Sequence, residues 1–184
     1  YMEYAKTINI NILPPCINRS YAEFHVENGA IRFGLGGIKN VGVAVVQQIV
    51  EERKANGDFA DMTDFFERCY DFINKRMVDN LIKGGAFDCF DRTRADMLQW
   101  YNDELNEGAK SKKKAASGQM SLFDMMPELK TDIRPSHEQL KEFPAQVLYT
   151  FEKEVLGLYM TGSPLDDYDK FAAQYKFDFN TSEI

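Results

Sequence analysis

Gly34-Leu35-Gly36-Gly37-Ile38-Lys39-Asn40-Val41-Gly42 runs directly into a helical stretch that begins at Val43. Glycine or asparagine at turn positions permits unusual φ, and a turn placed at a helix start leaves backbone N–H groups unpaired and aimed outward. The partial positive charge of the helix N-terminus adds to this, and phosphate is the anion such a cradle most often holds. Lys39 stands inside the turn, where it supplies one formal charge. On spacing alone a plain glycine turn explains the same residues, so the anion-binding reading rests on the fuller pattern around it. Downstream, Val45, Val46, Ile49 and Val50 recur at helical spacing with a polar end at Glu51 to Lys54, and Asn56-Gly57 stops the run.

On the N-terminal side, residues 8 to 20 mix β-branched side chains with Pro14-Pro15, which predicts an extended connector. Tyr21 to Val26 and Ala30 to Leu35 read as two strands of a hairpin joined through Glu27-Asn28-Gly29, with an irregular loop as the competing reading. On the C-terminal side, Phe59, Phe65 and Phe66 enter a second helix, with Thr63 as the expected cap. A third follows Asn74 and carries Met77, Val78, Leu81 and Ile82 until Gly84-Gly85. Phe87 and Phe90 are expected to close over the core, and a fourth helix is expected from Thr93 or Arg94 to Leu105. Composition then changes. Glu107 to Gly118, with Lys110, Lys112, Lys113 and Lys114, reads as a flexible linker, and Met120 to Met126 is a short apolar island. Helical period returns at about Ser136 and again from Gln146 to Tyr159, with Ser163-Pro164 as the expected stop.

The whole chain has 184 residues, 44% apolar and 28% charged, enough for one ordinary domain with appendages. Twenty-two Lys and Arg against 29 Asp and Glu give a net charge of -7, so bulk positive charge is not available for holding nucleic acid and any such contact is local. Cys16, Cys69 and Cys89 fit neither a disulfide framework nor a paired zinc site, and a cytoplasmic location is the simple expectation. No run approaches the ~18 apolar residues of a membrane span. The first residue is Tyr1 and the text opens like the tail of a helix, so the chain is expected to be a piece of a longer one.

Ile38-x-Asn40-Val41-Gly42-x-x-x-Val46-x-x-Ile49 resembles the helix-hairpin-helix motif, whose hairpin places an apolar residue between two glycines. Asn40 stands where the first glycine is usual, and asparagine tolerates the left-handed region better than other non-glycine residues. The residues expected to touch DNA are Gly37, Lys39, Asn40, Val41 and Gly42. A second, degraded copy is placed at Phe72 to Arg76, where Asn74 caps the next helix and Lys75 and Arg76 reach for a phosphate. Its glycines are missing, and a purely structural role competes.

Ile12-Leu13-Pro14-Pro15, Ile31 to Leu35, Leu81 to Asp88 and Glu152 to Tyr159 together resemble the bacterial DNA polymerase III alpha-subunit family, over nearly the whole chain. Cys16, where that family usually has Asp, and Ser163, where it usually has His, depart from the pattern. The resemblance implies a mainly α fold: a small tandem helix-hairpin-helix domain with one β-hairpin, then a flexible linker and a C-terminal helix. The implied organisation is a connector from the fingers at residues 1–20, the duplex-binding domain at 21–106, a linker with a clamp-binding peptide at 107–135, and a helical segment toward an OB-fold at 136–184. It further implies a noncatalytic part of a DNA-directed DNA polymerase, a nucleotidyltransferase whose catalytic aspartates and Mg2+ belong to a palm domain preceding Tyr1. No cofactor is expected in the present residues. Implied partners are primer-template duplex, bound without regard to sequence, the sliding clamp (beta subunit) and other replisome subunits, with no membrane.

Gln119-Met120-Ser121-Leu122-Phe123 is similar to the clamp-binding motif of that setting, in which Gln meets the pocket edge and the Leu-Phe pair fills an apolar cleft. An exposed Leu-Phe pair within a solvated stretch needs a partner to bury it. That burial supplies about 3–6 kcal/mol before ordering costs, enough for a weak tether. The lysine cluster before it reads as a solubilising linker or as a DNA-backbone contact. Two other function classes compete. One is an acidic helical protein-interaction module without DNA contact; the other is a helix-hairpin-helix glycosylase, for which no catalytic Lys or Asp stands in a suitable place.

Overall fold

A computed structural model describes residues 10–101 and 140–165. The chain divides into two compact units, Tyr1–Phe90 with Phe143–Ile184, and Asp91–Glu142. The architecture is mainly helical with one small sheet, and no helix among the described residues is long and apolar enough to cross a membrane.

In the first unit, β1 (Ile12–Leu13), β2 (His25–Glu27) and β3 (Ala30–Arg32) form a sheet in the order β1-β3-β2. The hairpin β2–β3 is antiparallel, with Val26 opposite Ile31, and its turn uses Asn28 at φ 51° and Gly29 at φ 80°. Two successive positive φ values match the twist of the flanking strands, which is why Asn-Gly specifies this connection. The strands are shorter than the sequence predicts. The stretch expected to be a plain connector contributes β1, which pairs in parallel with β3 through Ile12 opposite Ile31. Arg32 ties the three strands: its guanidinium donates to both Glu27 carboxylate oxygens, at 2.7 and 3.1 Å, and to the Pro14 carbonyl at 2.8 Å.

Helix α1 spans Val43–Asn56, α2 Met62–Cys69 and α3 Lys75–Lys83. Gly57, at φ 89°, ends α1 as the sequence predicts. The cap of α2 is Asp61, whose carboxylate accepts the Asp64 N–H at 2.9 Å, and not Thr63, which lies inside the first turn. Both residues have capping chemistry. Starting at Asp61 is what sends Met62 and Phe65 inward, at 2% and 0% exposure. Asn74 caps α3 by accepting the Met77 N–H at 3.0 Å, and Gly84 with Gly85, at φ 80°, closes it.

The core of this unit gathers Ile17, Phe33, Leu35, Val46, Ile49, Phe65, Leu81, Ile82 and Phe87, all fully or nearly fully buried. Phe65 makes edge contacts with Phe59 and Phe87, at ring centroid distances of 5.2 and 5.0 Å, and Phe87 stacks with Phe90 at 5.9 Å. Such pairs add about 0.5–1.5 kcal/mol each beyond the area they bury. The expectation that Phe87 and Phe90 close the core holds.

Helix α4 (Ala145–Leu156) completes this unit by packing on α3. It ends at Gly157, at φ 76°, earlier than the Ser163-Pro164 stop expected from the sequence. A left-handed glycine satisfies the last turn and reverses the chain, so the later proline has nothing left to terminate. A Cβ on Gly84 would stand 3.1 Å from Leu156 Cδ2, so the small residue sets how closely α3 and α4 approach. Glu152 is fully buried, and its carboxylate accepts the N–H groups of Met160 and Thr161 at 2.7 and 3.0 Å, which folds the chain after Gly157 back along the helix.

In the second unit, residues 94–101 are helical. Thr93 caps them through its hydroxyl, which accepts the Asp96 N–H at 3.1 Å, and the Glu142 carboxylate accepts the N–H groups of Arg94 and Ala95 at 2.8 and 3.2 Å. The predicted continuation to Leu105, the linker with Lys110 to Lys114, and the helical period at Ser136 fall outside the described residues.

Candidate nucleic-acid interface

The bend before α1 is built in two steps. Leu35–Gly37 forms one turn of 3-10 helix, held against the preceding segment because Leu35 and Gly36 donate to the carbonyls of Tyr21 and Ala22, at 2.8 and 3.0 Å. This close approach requires glycine: a Cβ on Gly34 would meet Glu23 C at 2.5 Å, and one on Gly36 would meet Ala22 O at 2.7 Å. The chain then turns through Asn40, at φ 62°, the left-handed conformation that its residue type predicts.

The direction in which the bend faces follows from its hydrogen bonds. Lys39 N–H donates to the Val155 carbonyl at 2.9 Å, and Asn80 Nδ2 donates to the Lys39 carbonyl at 2.5 Å. One peptide unit is thereby held by α4 and the next by α3. Val41 N–H donates to the Ile38 carbonyl at 3.1 Å, and the Val41 side chain is 6% exposed. Ile38 and Val41 therefore anchor the bend inward, and Lys39, Asn40, Gly42, Val43 and Ala44 are left exposed.

Among the described residues no hydrogen-bond partner is found for the N–H groups of Asn40, Gly42, Val43 or Ala44. Gly42 offers no side-chain cap, and the first turn of α1 holds no acidic residue. Four main-chain donors, the positive end of a 14-residue helix and the Lys39 ammonium thus share one solvent-facing corner. Such a corner attracts an anion without any net positive charge on the protein.

The individual residues expected at this site take different parts. Lys39, Asn40 and Gly42 lie on the exposed corner. Gly37 is exposed, but its N–H is used by the Gly34 carbonyl at 3.0 Å; a Cβ there would touch the Phe33 ring at 3.0 Å, so its part is to let the turn close. Val41 offers neither side chain nor N–H to a ligand and serves as the inward anchor. Lys75 and Arg76 stand exposed on the first turn of α3. The segment before them is unlike the first bend: Asn74 is extended, at φ -134°, and its side chain takes the Met77 N–H. Gln119, Met120, Ser121, Leu122 and Phe123 lie outside the described residues.

Asn80 and Val155 were not evident as parts of the site from the sequence. Asn80 left a signal, a polar amide within the apolar stripe of Met77, Val78 and Leu81 on α3, where 7% exposure demands a partner. Val155 acts through its main chain, and no residue type announces that.

A model of the helix-hairpin-helix motif matches residues 9–97. The alpha subunit of DNA polymerase III from Borreliella burgdorferi is 40% identical over 173 residues, 92% of this chain and 15% of its own length. Over nine tenths of its length the chain is thus similar to part of a DNA polymerase III alpha subunit. Its likeness to the alpha subunits of Vibrio cholerae, 34% over 176 residues, and Escherichia coli K12, 35% over 170, covers 95% and 91% of this chain. In both cases the chain spans about 15% of the relative's length. The solvent-facing bend thus lies within the residues that match the helix-hairpin-helix motif.

Proposed function

We propose that this segment is the noncatalytic, duplex-gripping and clamp-tethering part of a replicative DNA polymerase. The observation that carries the duplex-binding part is the run of outward N–H groups at Asn40 and Gly42 to Ala44 in a bend pinned from behind by Asn80 and Val155. Main-chain donors recognise phosphate oxygens and carry no base information, so the duplex can advance through the site as synthesis proceeds. Lys39 adds one charge to that grip. The Gln119 to Phe123 peptide supplies the second attachment, which raises the local concentration of polymerase at the primer end. Nucleotidyl transfer with Mg2+ belongs to other parts of the whole subunit. Among the described residues no group of three or more His, Cys, Asp or Glu side chains is placed to hold a metal ion.

Binding of primed duplex by the intact subunit, measured by fluorescence anisotropy over a range of salt, tests the grip. Lys39→Gln is expected to reduce the slope of log affinity against log salt by about 0.9, the effect of one lost phosphate contact. An unchanged slope and affinity overturns the duplex reading of the bend and favours a protein-interaction module. For the tether, Leu122→Ala with Phe123→Ala is expected to abolish clamp pull-down and shorten primer-extension products. Unaltered pull-down and product length overturn it.

A further inference from the structure

Cys16 follows β1 and Cys89 follows α3, yet the fold brings the two segments together. Ile17 N–H donates to the Ala86 carbonyl at 2.7 Å, and Cys89 Sγ lies 3.9 Å from the same oxygen, so both cysteine-bearing segments converge on one peptide group. The neighbouring Cys89 thiol, the backbone N–H groups of Asn18 and Arg19 and the charge of Arg32 favour the Cys16 thiolate against a partial desolvation cost, and Cys16 in turn favours the protonated form of Cys89. The other ionised group near Arg32 is Glu27, whose carboxylate the guanidinium already grips. Cys89 is exposed and Cys16 half-buried, so a small solute can reach the pair. Cys69 is buried in the core, where desolvation pushes its thiol up to about 12.

We infer that Cys16 and Cys89 form a thiol pair that a hydroperoxide oxidises to an intramolecular disulfide, with Cys16 as the attacking sulfur. In the first step the Cys16 thiolate attacks one peroxide oxygen; the S–O bond forms, the O–O bond breaks, and hydroxide leaves with a proton from solvent as water. In the second, the Cys89 sulfur attacks the Cys16 sulfenic acid; the S–S bond forms, the S–O bond breaks, and the Cys89 proton leaves with the hydroxide as water. Two thiols and one hydrogen peroxide thus become one disulfide and two waters. The thiolate is the reacting form, and an adjacent thiol with access to solvent is what diverts a sulfenic acid from further oxidation. The product staples the segment after β1 to the turn after α3, and a dithiol reverses it.

The test is peptide mapping under non-reducing conditions of the intact polypeptide carrying this segment, after exposure to hydrogen peroxide at neutral pH. The expected result is a cross-linked peptide joining Cys16 to Cys89, lost on treatment with a dithiol, with Cys69 still a thiol. Recovery of Cys16 and Cys89 on separate peptides overturns the proposal. Before oxidation, Cys16 is expected to alkylate on the order of tenfold faster than Cys69, and equal rates overturn its place as the attacking sulfur. In Cys89→Ser, Cys16 is expected to stop at a sulfenic acid that a 1,3-diketone traps. In Cys16→Ser, Cys89 is expected to lose its oxidation at low peroxide; full oxidation of Cys89 there reverses the assigned roles and overturns the inference.

Discussion

The Lys39 N–H and the Val155 carbonyl meet at 2.9 Å, so the exposed bend is held from behind by the last turn of α4. Asn80 holds the Lys39 carbonyl from α3. A bend of glycine and asparagine without such support would sample many shapes, and each anion bound would then cost the entropy of ordering it. With both sides of the Lys39 residue engaged, the donors that face solvent are already in place.

Asn80→Ala therefore acts on the bend without touching any ligand. It leaves the Lys39 carbonyl without its side-chain donor, a loss of about 1–3 kcal/mol. Hydrogen exchange in the intact subunit is expected to show residues 38–46 opening more easily by that amount, with weaker duplex binding alongside. Unchanged protection there would mean that Val155 alone holds the bend.

What the sequence disclosed and what it hid divide along one physical line. Asn28-Gly29, the Asn74 cap, Gly57 and Gly84-Gly85 act through their own φ, or on N–H groups a few residues away, and each was legible. The left-handed Asn40 belongs with them. Hidden were the pairings between distant segments: β1 beside β3, Asn80 on the Lys39 carbonyl and Val155 on its N–H. Main-chain partners carry no residue signature, so only the packed fold reveals them. The choice of Asp61 over Thr63 was decided the same way, by which start buries Met62 and Phe65.

Asn40 offers a test of backbone strain separate from charge. Its φ of 62° is one that a β-branched residue resists, at a cost of about 1–2 kcal/mol. Asn40→Val is expected to destabilise the bend by that amount and to lower duplex affinity, and Asn40→Gly to keep both. Local hydrogen exchange and anisotropy read the two effects in parallel. Equal behaviour of the two variants would show that the left-handed turn is not what presents the donors.

Acid is expected to loosen the hairpin before the helical core. The Arg32 guanidinium beside Glu27 holds its carboxyl below the ordinary value of 4.5. A folded-state pKa below the unfolded one gives a contribution that is full above the unfolded value and lost as pH falls through the folded one. Amide protection in β2 and β3 should thus decline as pH drops below 4.5, and Arg32→Gln should remove that pH dependence. Glu52, held down by Arg68 and Asn56, adds a loss of the same sign where α1 meets α2. A hairpin whose protection is flat through this window would show that the pair contributes nothing net.

The sharpest separation of binding from folding lies at Ala44. It is exposed in the first turn of α1, where no acidic residue stands. A carboxylate there complements the helix dipole and stabilises α1 by about 0.3–1 kcal/mol. The same charge occupies the corner where the free N–H groups of Gly42, Val43 and Ala44 face solvent, and it repels a phosphate arriving there. Ala44→Glu is therefore expected to raise the protection of α1 in hydrogen exchange while weakening duplex binding, with the greatest loss at low salt, where the repulsion is least screened. Ala44→Gln controls for size, since it keeps the side-chain length without the charge. Simple damage to the fold would lower both quantities together. A duplex affinity that holds or rises as α1 is stabilised would show that the helix N-terminus is not where the phosphate sits.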